Sequence, residues 1–196
     1  GTANVSRTYD PEDRLTIEVD TKDVQASEVE VSGLTPELAK ALCTAEELGA
    51  YEAGATITLR MEIKVEGEAA VPDDASSVKA ALQDKGITMS GAKYFDVSLY
   101  MRVGGIDERQ VTETGSRTIT VTMEIPAEMK NTNTDVIRTF YVVRVHDGAA
   151  TVLAQGTEDQ ISFESNRFST YALAYRDEAK AGDSDDDDDD DDDDDG

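Results

Sequence analysis

Apolar and polar residues alternate strictly from Thr56 to Val65. Ile57, Leu59, Met61, Ile63 and Val65 share one side; Thr58, Arg60, Glu62 and Lys64 share the other. A period of two predicts a strand with one face on a core and the other in water. The same period runs over Lys93–Val103, where Phe95, Val97, Leu99, Met101 and Val103 form the core set. Tyr94, Asp96, Ser98, Tyr100 and Arg102 form the opposite set, expected to face solvent. Arg117–Ile125 repeats the pattern with Ile119, Val121, Met123 and Ile125 inward. Weaker strands are expected at Leu15–Val19, Val24–Val31 and Glu108–Thr112, and residues 1–14 read as a polar lead-in.

Arg138–Tyr175 is the densest run of strand signals. Thr139, Tyr141, Val143 and Val145 alternate with Phe140, Val142, Arg144 and His146. Asp147-Gly148 then supplies a hairpin turn, since Asp-Gly tolerates positive φ. Thr151–Leu153, Ile161–Glu164 and Phe168–Tyr175 complete four strands expected to share one antiparallel sheet. Two short helices interrupt the β pattern. Thr35-Pro36-Glu37 opens the first, with Thr as cap and Pro at the first helical position, and Gly49 is expected to close it. Pro72-Asp73-Asp74 opens the second with acids at its positive end, and Lys85-Gly86 closes it.

Many short strands without βαβ alternation predict a mainly β fold: an antiparallel β-sandwich with two short helical insertions. The expected organisation is a strand and helix segment over residues 1–55, which can belong to the same domain, a sandwich module over 56–177, and a disordered acidic linker over 178–196.

Composition sharpens this picture at three points. The net charge is −25, and Asp183 with Asp185–Asp195 carries twelve of those charges, leaving −13 for residues 1–182. So acidic a chain repels nucleic-acid phosphates and anionic membranes. No apolar run approaches the length needed to span a bilayer, and Gly1-Thr2-Ala3, without an initiator Met, implies a fragment of a longer protein. Cys43, the single cysteine, excludes an intrachain disulfide and a thiolate-rich zinc site, and is expected as a small packed residue.

Four segments carry a resemblance: DVSLYMRVGG at 96–105, RTITVTMEIPAEMKN at 117–131, RTFYVVRVHDG at 138–148 and FSTYALAY at 168–175. Together, over about residues 56–176, they resemble a β-rich, Ig-like-sandwich type domain of large wall-anchored surface proteins of Gram-positive, Clostridia-like anaerobes. That resemblance implies an extracellular, cell-wall-attached setting, with neighbouring domains of the parent protein as partners. It supplies no catalytic residues.

Candidate chemistry is sparse. The run that includes Asp185, Asp186, Asp187 and Asp188 offers hard oxygen ligands, but no spaced Gly or carbonyl closes a loop around an ion. It predicts a self-repelling spacer with at most weak, diffuse Ca²⁺ binding, and no cofactor is otherwise expected. His146, the only histidine, sits beside Asp147, with Ser162 and Ser169 as conceivable nucleophiles. No nucleophile elbow accompanies them, so His146 reads as a polar strand-end residue. Lys64, Lys93 and Asn166 raise an isopeptide cross-link, which Lys64 disfavours by its place on the solvent face. Tyr94 and Tyr100 are the candidate ligand-binding residues, as aromatic platforms for a sugar or protein. The expected role is a non-catalytic stalk, spacer or adhesin-like structural module. The alternative is a module that binds a host protein or glycan.

Overall fold

The strand alternations organise a computed structural model that describes residues 5–21, 24 and 29–181. Its centre is the ladder formed by β4 (Ile57–Glu66), β5 (Gly91–Val103), β11 (Thr170–Ala179) and β8 (Val136–His146), paired antiparallel in that order. β9 (Ala149–Gly156) extends the ladder beyond β8, and β6 (Arg109–Val111) adds to β5. On the other side β2 (Leu15–Asp20) joins β4, and β1 (Val5–Asp10) joins β2. A second sheet of three strands, β10–β7–β3, uses Gln160–Ser165, Ile119–Glu124 and Val29–Ser32. The described residues are therefore mainly β, with two sheets and three α-helices among them.

The inward rows of both sheets meet in one core. Leu59, Met61, Phe95, Leu99, Met101 and Leu173 face Ile119, Val121, Ile161 and Phe163. Leu15, Val24, Leu38 and Tyr51 belong to the same cluster, so residues from 1–55 share the core of 56–177.

Several expectations change. β1 occupies part of the stretch read as a lead-in. β2 and β4 pair parallel, because β3 and two helices carry the chain across before β4 begins, so the large sheet is mixed rather than purely antiparallel. Of the four strands in Arg138–Tyr175, β10 leaves the large sheet and pairs with β7. Of the strand expected over Val24–Val31, the part described as strand is Val29–Val31, within β3, and residues 25–28 of that stretch lie outside the described residues. The poly-Asp run, with its Ca²⁺ and disorder expectations, also lies outside them.

The first helix is two helices. α1 (Pro36–Leu42) ends at Cys43, and α2 (Ala45–Glu52) restarts one residue later under a capping box. Thr44 Oγ1 accepts from the Glu47 N–H at 3.1 Å, and Glu47 Oε1 accepts from the Thr44 N–H at 2.9 Å. Gly49 lies inside α2, and the chain turns instead at Gly54, with φ +111°. Cys43 donates its thiol to the Ala39 carbonyl at 3.4 Å, and burial pushes its pKa up, as suits a packed residue.

α3 (Pro72–Asp84) forms the third layer. Its Ala75, Val78 and Leu82 stripe lies on the outer face of the large sheet against Tyr141, Val143, Val145, Ala172 and Ala174. Small alanines on β11 let the helix approach closely. Among the described residues, the sheet is thus covered on both faces at the β8–β11 side, and open on its outer face over β1, β2, β4 and the end of β5.

Candidate functional site

The Tyr94 expectation does not survive the third layer. Tyr94 is 2% exposed, packed with Ala75, Val78 and Leu82. Its hydroxyl is buried and unpartnered among the described residues, and burial raises its pKa. It cannot serve as an exposed platform. Alternation placed it correctly on the outer face; α3 then closed that part of the face.

Tyr100 stays on the open half, partly buried, directly across from Arg60. The Arg60 guanidinium lies 4.3 Å from its ring centroid, so one aromatic face already holds a protein cation. Around this pair runs a lattice of charges: Arg60 to Glu62 at 2.7 Å and Glu108 at 3.0 Å, Lys64 to Glu62 at 2.8 Å, and Arg7 to Glu18 at 3.3 Å. A groove of about 470 Å³ crosses this face, lined among others by Arg7, Arg60 and Arg102. Arg102 is exposed and has no ion-pair partner among the described residues. Glu18 and Glu108 also line the groove and pair with Arg7 and Arg60, so among the described residues Arg102 is the one uncompensated arginine there, placed to meet a carboxylate or sulfate group of a partner.

The second grouping of chemically capable side chains lies at the β8–β9 turn. His146 is the last residue of β8, and Asp147 and Gly148 form a two-residue loop with φ of +50° and +78°. Both central residues of such a tight hairpin turn need positive φ, which Asp and Gly tolerate. Glu113 arrives from the segment after β6. That segment lies along 166–168: Phe168 N–H donates to Thr112 O, Thr114 N–H donates to Asn166 O, both at 2.9 Å, and Glu113 bridges Arg167. Ser169 stands just before β11, across from His146.

The ring of His146 is 9% exposed. Its Nδ1 is 3.3 Å from Ser169 Oγ, and its Nε2 is 3.3 Å from Glu113 Oε1 and 3.5 Å from Asp147 Oδ2. Ser169 spends its own proton on the Val145 carbonyl. A serine whose proton is committed to a backbone carbonyl is not the activated nucleophile of a hydrolase, and Ser162 instead bonds Thr122 at 3.0 Å on the smaller sheet. Beside this end, Tyr171 and Arg144 converge on Ser165, whose hydroxyl bonds the Arg167 carbonyl at 3.0 Å. Burial raises the Tyr171 pKa, so that network holds neutral phenol and fixes the 165–167 turn.

The sequence places His146 and Asp147 side by side, with Ser162 and Ser169 as the serines considered and His146 read as a polar strand-end residue, and nothing in it connects Glu113 to them. Glu113 is 33 residues from His146 and sits in an unpatterned polar loop. Only the pairing of that loop with 166–168 brings it in. The three isopeptide candidates occupy separate contacts: Lys64 with Glu62, Lys93 with Glu128, and Asn166 with the Gly115 carbonyl. No described helix is long and apolar enough to cross a membrane. No known protein family, curated protein or solved structure matches the sequence.

Proposed function

We propose that this chain is a non-catalytic module of a bacterial cell-surface protein, an Ig-like sandwich that serves as a stalk, spacer or adhesin-like structural domain. What supports the reading is where the resembling segments fall. DVSLYMRVGG lies largely in β5, RTFYVVRVHDG in β8 and its turn, and FSTYALAY mainly in β11. Those strands are neighbours, in the order β5–β11–β8. Three of the four segments therefore lie on the spine of the large sheet, and RTITVTMEIPAEMKN lies in and after β7 of the smaller sheet, so the resemblance spans the two packed sheets, a signature of architecture more than of a ligand. Surface labelling of cells that produce the parent protein, with antibody raised against residues 5–181, tests the setting. Labelling of intact cells is expected; signal only after lysis overturns it.

A second reading, a binding module for a host protein or glycan, draws on the groove beside Tyr100. Its exposed Arg102 is a cation without an ion-pair partner among the described residues, on a surface otherwise crossed by compensated pairs. An array of sulfated and acidic glycans and of host surface proteins discriminates the two. Saturable binding lost in Arg102→Glu would make recognition the function; no binding above background leaves the structural reading.

A further inference from the structure

We infer that Glu113, His146 and Asp147 form a site for a single divalent transition-metal ion of the zinc class. The ligand atoms of these three residues all lie within 4.8 Å of one another.

The hydrogen bonds fix which nitrogen of His146 is free. Ser169 gives its proton to the Val145 carbonyl, so its oxygen receives rather than donates at the His146 ring. Nδ1 must then carry the proton. In the neutral ring Nε2 holds a lone pair, and that lone pair faces two carboxylates. Three acceptors converging on one point are unfavourable unless a cation stands among them.

Two cations satisfy that requirement: a second proton on the imidazole, or a metal ion. Distance separates them. A charge-assisted N–H···O⁻ bond closes to about 2.7–2.9 Å. The contacts here are 3.3 and 3.5 Å, long for either carboxylate to hold an imidazolium proton. A tetrahedral ion with bonds of about 2.0–2.1 Å keeps its ligand atoms about 3.3–3.4 Å apart. The two separations from His146 Nε2 match the edge of that tetrahedron, and the two carboxylate oxygens lie within 4.8 Å of each other.

Imidazole together with carboxylate selects zinc-like ions over Ca²⁺ and Mg²⁺, which prefer all-oxygen cages. The Ser169 hydroxyl is a positioning group: it fixes the ring's tautomer and orientation, as outer partners of metal-bound histidines do. The turn supplies Asp147 and the 112–114 pairing supplies Glu113, so backbone structure places both residues beside the ring while their carboxylates stay open to solvent. Arg167 competes weakly for Glu113, at 3.8 Å and half exposed. Three protein ligands leave a fourth position open to water or to a group from outside the chain.

The test is titration of the full chain with Co²⁺, a spectroscopic stand-in for Zn²⁺. The poly-Asp run offers oxygen alone, and six-coordinate oxygen sites of Co²⁺ absorb only weakly in the visible. A four-coordinate site containing nitrogen absorbs strongly. One saturable equivalent of strong absorption, displaced by Zn²⁺, is expected. His146→Gln should abolish it, and Glu113→Gln and Asp147→Asn should each weaken the affinity at least about tenfold. The last two change exposed positions, and Asn keeps the positive φ at 147, so their loss of binding would not reflect unfolding. Ser169→Ala should cost about 10–100-fold while leaving every ligand in place. No strong band in the unaltered chain overturns the site, as does a band that survives in all three ligand variants. Nitrogen-15 chemical shifts of the His146 ring then show whether the cation there is only a proton.

Discussion

Glu47 and Arg109 form a bidentate pair that ties the helical segment to the large sheet. Glu47 is 2% exposed, and the Arg109 guanidinium donates to its two oxygens at 2.8–3.2 Å and to the Leu42 carbonyl at 2.6 Å. The same carboxylate closes the capping box of α2, so one side chain starts a helix and anchors it. Arg109→Met removes the partner and leaves a buried carboxylate facing an apolar stem. Because the Arg109 side chain is over a third exposed, water screens part of the loss. The expected cost is about 2–3 kcal/mol by urea denaturation. Glu47→Leu combined with Arg109→Met should recover part of it, because the double change strands no charge; a double variant worse than the sum of its parts would refute this account.

Acid should weaken the fold through the same pair. The Arg109 hydrogen bonds hold the Glu47 carboxyl below its usual pKa, and the Arg138 hydrogen bonds at 2.8 and 2.9 Å do the same for Asp177. Both groups bind protons less readily folded than unfolded. Their contribution is present above the ordinary carboxylate range of about pH 4 and disappears as pH falls through the lower folded values. Urea midpoints should therefore hold level from neutral pH to about pH 5 and drop below about pH 4. In Arg109→Met and Arg138→Met that drop should be shallower. An unchanged acid slope in both variants would assign acid lability to other groups.

Tyr94 predicts a gain. Its hydroxyl is buried without a partner among the described residues, while its ring fills the space under α3. Tyr94→Phe keeps the ring and removes the unsatisfied group, so stability should rise by about 1 kcal/mol. Tyr94→Ala should lose about 3–5 kcal/mol by leaving a cavity between helix and sheet. A loss in the Phe variant, measured by denaturant midpoint, would show that the hydroxyl has a bonding role.

These residues also mark how far the sequence could be read. Period-two alternation gave the core faces of β4, β5 and β7, because one buried face fixes the phase of a strand. It did not distinguish Tyr94 from Tyr100, which share a side of β5. A cue lay in other strands: Tyr141, Val143, Ala172 and Ala174 make the outer faces of β8 and β11 apolar or small, as expected of a sheet covered on both sides. The break between α1 and α2 was written in Thr44-Ala45-Glu46-Glu47, a capping box inside an otherwise continuous helical stretch. The parallel β2–β4 pair and the meeting of Glu113 with His146 had no local signal, since both follow from pairings between segments far apart in the chain.

Two glycines should answer the same substitution with opposite signs. Gly33 follows β3 at φ +97°, and a Cβ there would sit 2.8 Å from the Thr118 carbonyl oxygen and 3.2 Å from Ile119 Cα. Those obstacles are backbone of the segment entering β7, which cannot rotate away. Gly33→Ala should cost at least about 2 kcal/mol, combining the left-handed backbone penalty with displacement of the smaller sheet. Gly49 lies within α2, is exposed, and an added Cβ would meet no atom within 4 Å. Gly49→Ala should gain about 0.5–1 kcal/mol from helix propensity and a less flexible unfolded chain. Urea midpoints of the two variants decide it. If Gly49→Ala destabilises, α2 does not run unbroken through position 49 and the helix ends where the lone glycine first implied. If Gly33→Ala is neutral, the link from β3 to α1 has room to move that the close approach to Thr118 denies.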